Sequence, residues 1–580
     1  MQDIIHAVQW YTEMGNKIDT KILNMIYFIS PWNLFYGYII SLIYFTIFYL
    51  FRSDLFHFDS YSNFIHISDL SEIWINYNLS MLQFAIFFWI LFIVYHFIQF
   101  YYFEKRNFIP MNRSEKDKIK AMYPVVPKRY LSKEPNDFTI GKYRNRYFRI
   151  PIDTNDIKHA LIIGSPGSFK SSTLLDALIW NFNFEIGKKP MTVFALDVKP
   201  ELSRKSIDES RNDVRIIDPS THTGCGFDVW YGLDQDDPDD RLIERADLIA
   251  RTLITNPSGN SDNEFFYISA QNLMVPFLVY GFRKGLGFVE TILQIIRIPL
   301  QDLITTILMD EDMQTNHPKV IGMLTPYDGK DSDAIQDIEL TLRQDLRIFD
   351  TDTVKYQFDD NPQKASPIDL TNGISIFLAL PDHLLKQYSS IFRLITQMVL
   401  NYLSSIPEHE RAEKDVPLIW LLIDEFGSLG RLQIQEPLAR LRSRKVSIWL
   451  ACQGLSQLDL TYGHDGTRTI LDNTETTLVF SCKDKPTAEI ISSWCGQYQE
   501  TRISKNKKHT GMFGDQSLTQ SSEYRNVMDV TDIMALRKNK ELLVFDEGNR
   551  YLIKKCPYWQ IPLLKEKSDA IKKINEKEGR

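Results

Sequence analysis

The sequence predicts an α/β protein that is built on a parallel sheet and preceded by two membrane-spanning helices. Three observations indicate this class. Short apolar runs alternate with segments of helical spacing, one of these runs opens into a glycine-containing loop, and two long uncharged runs lie near the amino terminus. Buried parallel strands joined by crossover helices produce the first pattern. With 580 residues, the chain is long enough for more than one domain.

The composition is that of a folded protein, with 24% charged, 44% hydrophobic and 13% aromatic residues. These values exclude a largely disordered chain. The formal net charge of −8 argues against a surface wholly adapted to nucleic acid, although a local basic channel is compatible with it. The five cysteines show neither a C-x-x-C spacing nor a metal-binding pattern, which indicates free thiols in a reducing compartment.

The two uncharged runs, residues 33–51 and 81–103, are each long enough to cross a bilayer core of roughly 30 Å as a helix. A pair of buried core helices is the alternative, but soluble helices rarely run this long without a charge. A cleaved signal peptide fits less well, because the first run starts late and is followed by a second.

Charged residues around these runs predict the topology. The intervening segment, residues 52–80, carries one basic and four acidic residues. Basic residues flank the runs on their other sides, at Lys17, Lys21, Lys105, Arg106, Arg113, Lys116, Lys118 and Lys120. Because loops rich in lysine and arginine stay in the cytoplasm, both termini are expected there and residues 52–80 on the other side.

Seven short apolar runs are predicted as buried strands. They are residues 159–164, 191–197, 214–219, 373–381, 417–426, 446–453 and 476–482. Residues 172–182 have helical spacing, and residues 238–355 are helical in period with few strand-like runs, which indicates a mostly helical insertion. Because ligands bind at the carboxyl ends of parallel strands, polar residues at these ends are candidate site residues.

The stretch from His159 to Ile179 matches the phosphate-binding loop pattern G-x-x-x-x-G-K-[ST] at every fixed position except one. In such a loop, backbone N–H groups and a helix N-terminus bind phosphate. Lys170 would contact the β- and γ-phosphates, and the Ser171 hydroxyl would bind Mg²⁺. The candidate nucleotide-binding residues are Gly164, Ser165, Pro166, Gly167, Ser168, Phe169, Lys170, Ser171 and Ser172. A coincidental strand–turn–helix is the alternative.

Phe169 occupies the position before the lysine, where glycine is usual. Phenylalanine disfavours positive φ, so we expect its backbone in the ordinary helical region as the helix begins. The ring should turn away from the phosphates. It would then pack on neighbouring apolar side chains or lie over the nucleotide entrance.

Two later strand ends carry residues that a nucleotide hydrolase needs besides this loop. The run 417–426 includes Asp424, which could hold Mg²⁺ through water, and Glu425, which could polarise the attacking water. Gln453 ends the next run, where its amide could sense the γ-phosphate. A solvated acidic turn is the alternative for the acidic pair, and the joint occurrence of both motifs in the right order disfavours it.

Between these strands lies a cluster of three arginines, Arg440, Arg442 and Arg444. Such a cluster is usually a solvated helix face. In a ring-shaped ATPase it is also a suitable place for an arginine that is supplied to the neighbouring subunit's site.

The order of these motifs resembles the coupling proteins of type IV secretion and conjugation, the TraD/TraG type, in which two spans precede a RecA-like ATPase. The resemblance runs along nearly the whole chain. Its most specific stretch is LLIDEFGSLGRL followed by LRSRKVSIWLACQGLSQLDLTYG. Further matches are HALIIGSPGSFKSS, ALDVKPEL, IIDPSTHTGCGFDVW, NEFFYISAQNLM and CKDKPTAEIIS. Phe169 and Pro200 depart from the family pattern, each standing where glycine is usual.

The resemblance implies a bacterial inner-membrane ATPase, two-pass and in contact with membrane lipid, that assembles as a homo-hexamer. It implies delivery of a DNA–relaxase complex, or of protein effectors with adaptors, to inner-membrane components of a type IV secretion system. ATP and Mg²⁺ are the implied ligands. The implied roles are Mg²⁺ binding by Ser171 and Asp424, catalysis by Glu425, γ-phosphate sensing by Gln453, and a trans arginine at Arg442, with Arg444 as the alternative.

The predicted domains are a membrane anchor, a RecA-like nucleotide-binding domain in two parts, an inserted all-α domain and a charged tail that is frayed or a solvated helix. Their bounds are 1–106, 107–237 with 356–566, 238–355, and 567–580. Two other functions stay open: a membrane receptor or scaffold that binds nucleotide weakly, and a DNA translocase of the FtsK type. Asp197, Lys199 and Glu201 match a family motif but have no assigned role.

Overall fold

A computed structural model of the chain describes most of the sequence after residue 125. The described ranges are 126–136, 138–152, 156–184, 191–208, 211–255, 261–329, 333–412, 416–507 and 516–577, with isolated helical residues at 43, 83, 87, 90, 91 and 94. Apart from those isolated residues, the predicted membrane runs lie outside the described residues. The chain divides into two compact units, residues 1–113 with 501–521 and residues 114–500 with 522–580.

The second unit is organised around a sheet of twelve strands. In spatial order they are β1, β3, β2, β16, β15, β12, β4, β11, β10, β5, β9 and β6. Their bounds are Leu131–Ser132 (β1), Thr139–Tyr143 (β2), Arg146–Arg149 (β3), Ala160–Ile163 (β4), Thr192–Val198 (β5), Val214–Ile217 (β6), Ser375–Leu380 (β9), Ile419–Ile423 (β10), Val446–Cys452 (β11), Thr476–Val479 (β12), Glu541–Asp546 (β15) and Asn549–Lys554 (β16). Short strands Gly226–Phe227 (β7) and Lys364–Ala365 (β8) pair with each other, as do Gln497–Lys507 (β13) and Gln516–Asn526 (β14).

The seven strands from β12 to β6 in this order are all parallel. Each of the seven apolar runs coincides with one of them to within one residue at the carboxyl end of β5 and contains it elsewhere, so the prediction of a parallel α/β sheet is confirmed. The remaining five strands are antiparallel and extend the sheet beyond β12. These five strands were not predicted from the sequence, because strands such as β3, with the sequence RYFR, place charged residues beside aromatic ones and lack a long apolar run.

Alternate residues of the central strands belong to two different cores. In β10, Trp420 and Leu422 pack with the helix Lys170–Asn183 (α1), while Ile419 and Ile423 pack with the helical part of the chain. Because side chains of a strand alternate between the two faces of a sheet, the parallel sheet is covered on both faces. This burial on both faces explains the continuous apolar runs of the sequence.

The region predicted as a helical insertion is helical. Its α-helices are Asp239–Leu253 (α3), Ser261–Arg283 (α4), Phe288–Arg297 (α5), Leu300–Leu308 (α6), Glu311–Asn316 (α7), Pro318–Leu324 (α8), Asp333–Leu346 (α9) and Asp352–Lys355 (α10). Its buried residues share one hydrophobic cluster with one face of the sheet. The domain bounds given above stay a prediction.

One helix among the described residues is long and apolar enough to cross a membrane, Glu264–Arg283 within α4, with a mean hydropathy of 1.3. Over half of the apolar stretch of this helix, 56%, is buried inside the protein. The helix contacts α3, α5, α8 and α9. Its apolar character therefore suits the core of the helical region.

The remaining helices connect strands, except for the last one, which follows the final strand β16. They are Leu202–Ser206 (α2), Pro367–Thr371 (α11), Leu385–Ser405 (α12), Glu408–Ala412 (α13), Gln435–Arg440 (α14), Leu455–Asp472 (α15), Lys485–Trp494 (α16), Val530–Ala535 (α17) and Pro562–Lys577 (α18). The segment expected as a frayed or solvated tail is instead the second half of α18. Its Ser568, Ile571 and Asn575 are buried, and Asn575 Nδ2 donates a hydrogen bond to Ile207 O at 3.0 Å. The buried stripe was hidden in the sequence by the lysines between its members.

Candidate functional site

The phosphate-binding pattern forms a loop between a strand and a helix. β4 ends at Ile163, the loop follows, and α1 begins at Lys170. Gly164 N donates to Cys452 O of the neighbouring strand at 3.0 Å. A Cβ atom on Gly164 would lie 2.8 Å from Ser168 Oγ, closer than atoms can pack, so any other residue here would displace the Ser168 hydroxyl. The loop therefore has the context that the pattern demands.

Phe169 differs from the expectation. Its φ is 71° and its ψ is 19°, in the left-handed region, so the prediction of an ordinary helical backbone is wrong. A non-glycine residue there costs roughly 1–2 kcal/mol. The turn into α1 imposes this conformation, because Phe169 O accepts hydrogen bonds from Thr173 N and Ser172 Oγ, both at 3.0 Å. The expected apolar packing of the ring is confirmed by an edge-to-face contact with Trp559, with 5.7 Å between ring centroids.

Lys170 lies between the two acids that follow β10. Its Nζ is 2.8 Å from Asp424 Oδ1 and 3.5 Å from Glu425 Oε1. The side chains of Lys170 and Asp424 are only 8% and 6% exposed, and that of Glu425 is 22% exposed. Burial by itself lowers the pKa of Lys170, but the charges of both acids outweigh burial and raise it. The lysine is thus held as a cation inside the site.

Two further predicted residues join this cluster. Ser171 Oγ donates to Asp424 Oδ2 at 3.3 Å, and Gln453 Nε2 donates to Glu425 Oε2 at 3.2 Å. The strand order explains why these five side chains lie close together. The strands β4, β11 and β10 are adjacent and parallel, and each of the five residues follows the carboxyl end of one of them. Glu425 has a φ of 57°, which turns the chain sharply after the strand.

Ser168 Oγ is a polar atom of the loop without a partner in the described part of the chain. The residue is 1% exposed, and the hydroxyl makes no hydrogen bond there. A buried hydroxyl without a partner is costly, unless a ligand supplies one. Together with the cation of Lys170, it gives the loop the character of an anion-binding site.

Comparison with known proteins shows which family the chain belongs to. The family model for type IV secretory system conjugative DNA transfer matches residues 109–579. The chain belongs to this family. Among its relatives is the type IV secretion system-coupling protein VirD4 of Bartonella quintana (strain Toulouse), 24% identical over 67% of this chain and 61% of the relative. VirD4 of Bartonella henselae is 25% identical over 63% of this chain and 56% of the relative. The chain thus spans less than two thirds of the length of these relatives.

Solved structures of the plasmid coupling protein TrwB share the fold of this family member. TrwB in complex with the non-hydrolysable ATP analogue ADPNP has a TM-score of 0.53 and 16% identity, covering 74% of this chain and 90% of TrwB. TrwB with ADP and Mg²⁺ has a TM-score of 0.53 and 17% identity, with the same coverage. At this identity the likeness establishes the fold alone, and it confirms the predicted RecA-like α/β class.

In this coupling-family chain, the predicted trans arginine lies far from its own phosphate-binding loop. Arg442 lies in the turn before β11, whereas the loop follows the carboxyl end of the parallel neighbour β4. The seven residues of β11 separate these two edges of the sheet by roughly 20 Å. The side chain of Arg442 is 50% exposed and forms an ion pair with Glu475.

Arg444, the alternative, donates hydrogen bonds to backbone carbonyl groups of its own chain. Its Nε donates to Ile406 O at 2.6 Å and its Nη1 to Arg440 O at 3.0 Å. These bonds hold the end of α12 against the turn before β11. Of the two side chains, that of Arg442 is therefore the more exposed, whereas that of Arg444 is partly buried against the backbone.

The family motif around Asp197 has a structural explanation. Asp197 is fully buried and accepts hydrogen bonds from the backbone N–H groups of Glu201, Leu202 and Ser203 at 2.8 to 3.0 Å. It thereby fixes the turn from β5 into α2, and Lys199 passes through this turn with a φ of 86°. The carboxylate is occupied by these contacts and does not join the Lys170 cluster.

Sequence reasoning missed residues that border the loop from the C-terminal half. Ser481 Oγ accepts from Ser165 N at 2.9 Å, and Arg537 Nη2 lies 3.0 Å from where a Cβ atom on Gly167 would stand. Lys555 Nζ donates to Phe480 O, and burial lowers its pKa to about 8. Ser481 could have been found as a polar residue after a parallel strand, but the other two lie outside any motif.

Proposed function

We propose that the chain is a membrane-anchored coupling ATPase of a type IV secretion or conjugation system, in which ATP hydrolysis drives delivery of cargo to the channel. The observation that supports it most is the convergence of Lys170, Ser171, Asp424, Glu425 and Gln453 at one edge of the sheet. Family membership supports the same function, since the relatives are named as coupling proteins of type IV secretion. A non-hydrolysing scaffold would not need Glu425 and Gln453 in contact.

ATP would bind with its phosphates in the loop Gly164–Ser172. Backbone N–H groups at the start of α1 would donate to the phosphate oxygens, and Lys170 would contribute its charge. To do so, Lys170 has to exchange its contact with Asp424 for one with phosphate. The related TrwB has been solved with ADPNP and with ADP and Mg²⁺, which supports the same ligands here.

The donor set fits Mg²⁺. The Ser171 hydroxyl and the Asp424 carboxylate are oxygen ligands of the kind that this ion prefers, and they already lie 3.3 Å apart. When bound, Mg²⁺ supplies positive charge that stabilises the phosphate oxygens during transfer. Release of Asp424 from Lys170 would free the carboxylate for this role.

Glu425 would act as the base that orients and polarises the attacking water. Its Oε1 lies near Lys170 and its Oε2 accepts from Gln453, so both carboxylate oxygens are held. Gln453 can exchange this contact for the γ-phosphate, which would make the position of Glu425 sensitive to the nucleotide.

The assembly in this proposal is a homo-hexamer in the bacterial inner membrane, anchored by helices at residues 33–51 and 81–103 with both termini in the cytoplasm. Arg442 would reach the site of the neighbouring subunit, because it is exposed and lies far from its own. The partners would be inner-membrane components of the secretion system. The cargo would be a DNA–relaxase complex or protein effectors with adaptors.

Affinity purification of the full-length protein from its own cells, with identification of the molecules that co-purify, tests this function. We expect secretion-system subunits to co-purify, together with either a DNA–relaxase complex or adaptor-bound effectors. Cells that carry Lys170→Ala should lose transfer of that cargo while still assembling the complex. Unchanged transfer by this variant would refute an ATP-driven coupling role.

A further inference from the structure

Phe169 makes its ring contact with a residue from the far end of the chain. The rings of Phe169 and Trp559 are 5.7 Å apart at an angle of 64°, a favourable edge-to-face geometry. Trp559 is 41% exposed, and Tyr558 lies beside it with 5.2 Å between ring centroids. A large aromatic residue is thus held at the surface directly beside the phosphate-binding loop.

The segment that carries Trp559 is fixed to the helix that follows this loop. Ile561 and Leu564 are buried in the same hydrophobic cluster as Leu174 and Leu178 of α1. Farther along, α18 contacts both α1 and α2. Because Trp559 immediately precedes these anchors, its position relative to the loop is determined by packing.

The backbone of Phe169 needs such support. Its φ of 71° is unfavourable for any residue with a Cβ atom, so the loop would relax if nothing held it. Its carbonyl accepts the hydrogen bonds that begin α1, so relaxation would also disturb the amides that would donate to phosphate. The ring contact adds to these hydrogen bonds a second restraint, which ties Phe169 to a packed segment from the far end of the chain.

We propose that Trp559 is a positioning residue for the nucleotide site, whose contact with the Phe169 ring holds the phosphate-binding loop in its left-handed conformation. This inference rests on the proposed function, because it takes the loop to bind nucleotide. It makes the loop dependent on the C-terminal segment, a dependence that a loop with glycine at this position would not need.

Nucleotide affinity of the full-length protein tests the proposal through a double-mutant cycle. Trp559→Ala should weaken binding of a non-hydrolysable ATP analogue about fivefold, equal to about 1 kcal/mol. In the Phe169→Gly background the same change should alter affinity by less than about twofold, because glycine adopts the conformation unaided. Trp559→Phe should restore most of the affinity. An equal loss in both backgrounds, or no loss in the native one, would overturn the proposal.

Hydrogen exchange of the amides from 165 to 172 gives a second readout that requires no nucleotide. Trp559→Ala should accelerate their exchange, and the double variant with Phe169→Gly should not show that acceleration. Trp180→Ala is the matched control, since it removes an aromatic contact with Phe184 at the other end of α1. If the unchanged protein binds no nucleotide, the proposed function fails, and exchange alone decides the role of Trp559. Equal exchange in Trp559→Ala and the unchanged protein would refute it.

Discussion

Lys170 Nζ lies 2.8 Å from Asp424 Oδ1, so the lysine of the phosphate-binding loop and the acid after β10 form a buried ion pair. Both side chains are less than a tenth exposed. Phosphate and Mg²⁺ would each take one member of this pair. Binding of the nucleotide would therefore be an exchange of partners, in which neither charge is left alone in the interior.

Removing the lysine should affect both stability and binding. Lys170→Met leaves Asp424 buried without its cation, which should lower the free energy of unfolding by about 3–5 kcal/mol. Lys170→Met/Asp424→Leu should recover part of the stability but none of the nucleotide binding. Chemical unfolding and calorimetry measure the two effects. Lys205→Met is the control, because its ion pair with Glu201 is 31% and 49% exposed and should contribute less than about 1 kcal/mol. Equal effects of both lysine changes on stability would contradict the buried pair.

His159 should make the protein less stable in acid. It is 1% exposed, its Nδ1 accepts from Ile448 N at 3.0 Å, and burial lowers its pKa from 6.5 to about 4. Between these two values the unfolded chain binds the proton and the folded chain does not, so the free energy of unfolding falls as the pH drops from 6.5 to 4. The loss should be roughly 3 kcal/mol.

Urea unfolding at pH 7 and pH 4.5 checks the effect of His159. His159→Asn should show a smaller loss between these two pH values than the unchanged protein, because asparagine does not titrate. His464→Asn, at a side chain that is 92% exposed, should leave the loss unchanged. If His159→Asn retains the full pH dependence, another group is responsible.

Arg442 should act on the neighbouring subunit. Arg442→Ala should abolish turnover by the assembled protein while nucleotide affinity barely changes, since an arginine in trans contributes roughly 10³–10⁵ to the rate. Mixing Arg442→Ala with Glu425→Gln subunits should restore some activity, because one interface then combines an intact Glu425 with an intact Arg442. Mixed assemblies without any recovery would argue against Arg442, and Arg444 would be tested next.

The anchor can be tested by reporter fusions. A fusion within residues 60–70 should report a position outside the cytoplasm, and a fusion at Lys120 should report the cytoplasm, because basic residues accumulate on that side. The paired fusions control for each other. A cytoplasmic signal from residues 60–70 would contradict the two-pass topology.

The central sheet and the candidate site residues were predictable from the sequence for one physical reason. Strands buried on both faces must be continuously apolar, so their ends are visible, and the polar residues at those ends meet at one edge. Asp424, Glu425 and Gln453 were found in this way. The antiparallel extension was missed, because its short strands mix charged residues with apolar ones.

Phe169 shows where local reasoning fails. Its intrinsic preference argued for a negative φ, yet the hydrogen bonds that begin α1 and the contact with Trp559 override that preference. Trp559 and Arg537 are separated from the loop by more than 360 residues of sequence and belong to no motif. Only the fold brings them beside it.

ATP turnover by the full-length protein with Glu425→Gln tests most directly whether the chain is an ATPase that uses Glu425 as its base. Gln retains the shape of the side chain but cannot accept a proton, so turnover should fall by roughly 10²-fold or more while the affinity for ATP stays within about threefold. Gln457→Glu, a change at a neighbouring amide that contacts Gln453 N, is the control for local disturbance. Loss of turnover with retained binding is the predicted result. Near-normal turnover by Glu425→Gln would contradict the account, because hydrolysis would then take place without the base that the Lys170–Asp424–Glu425 cluster provides.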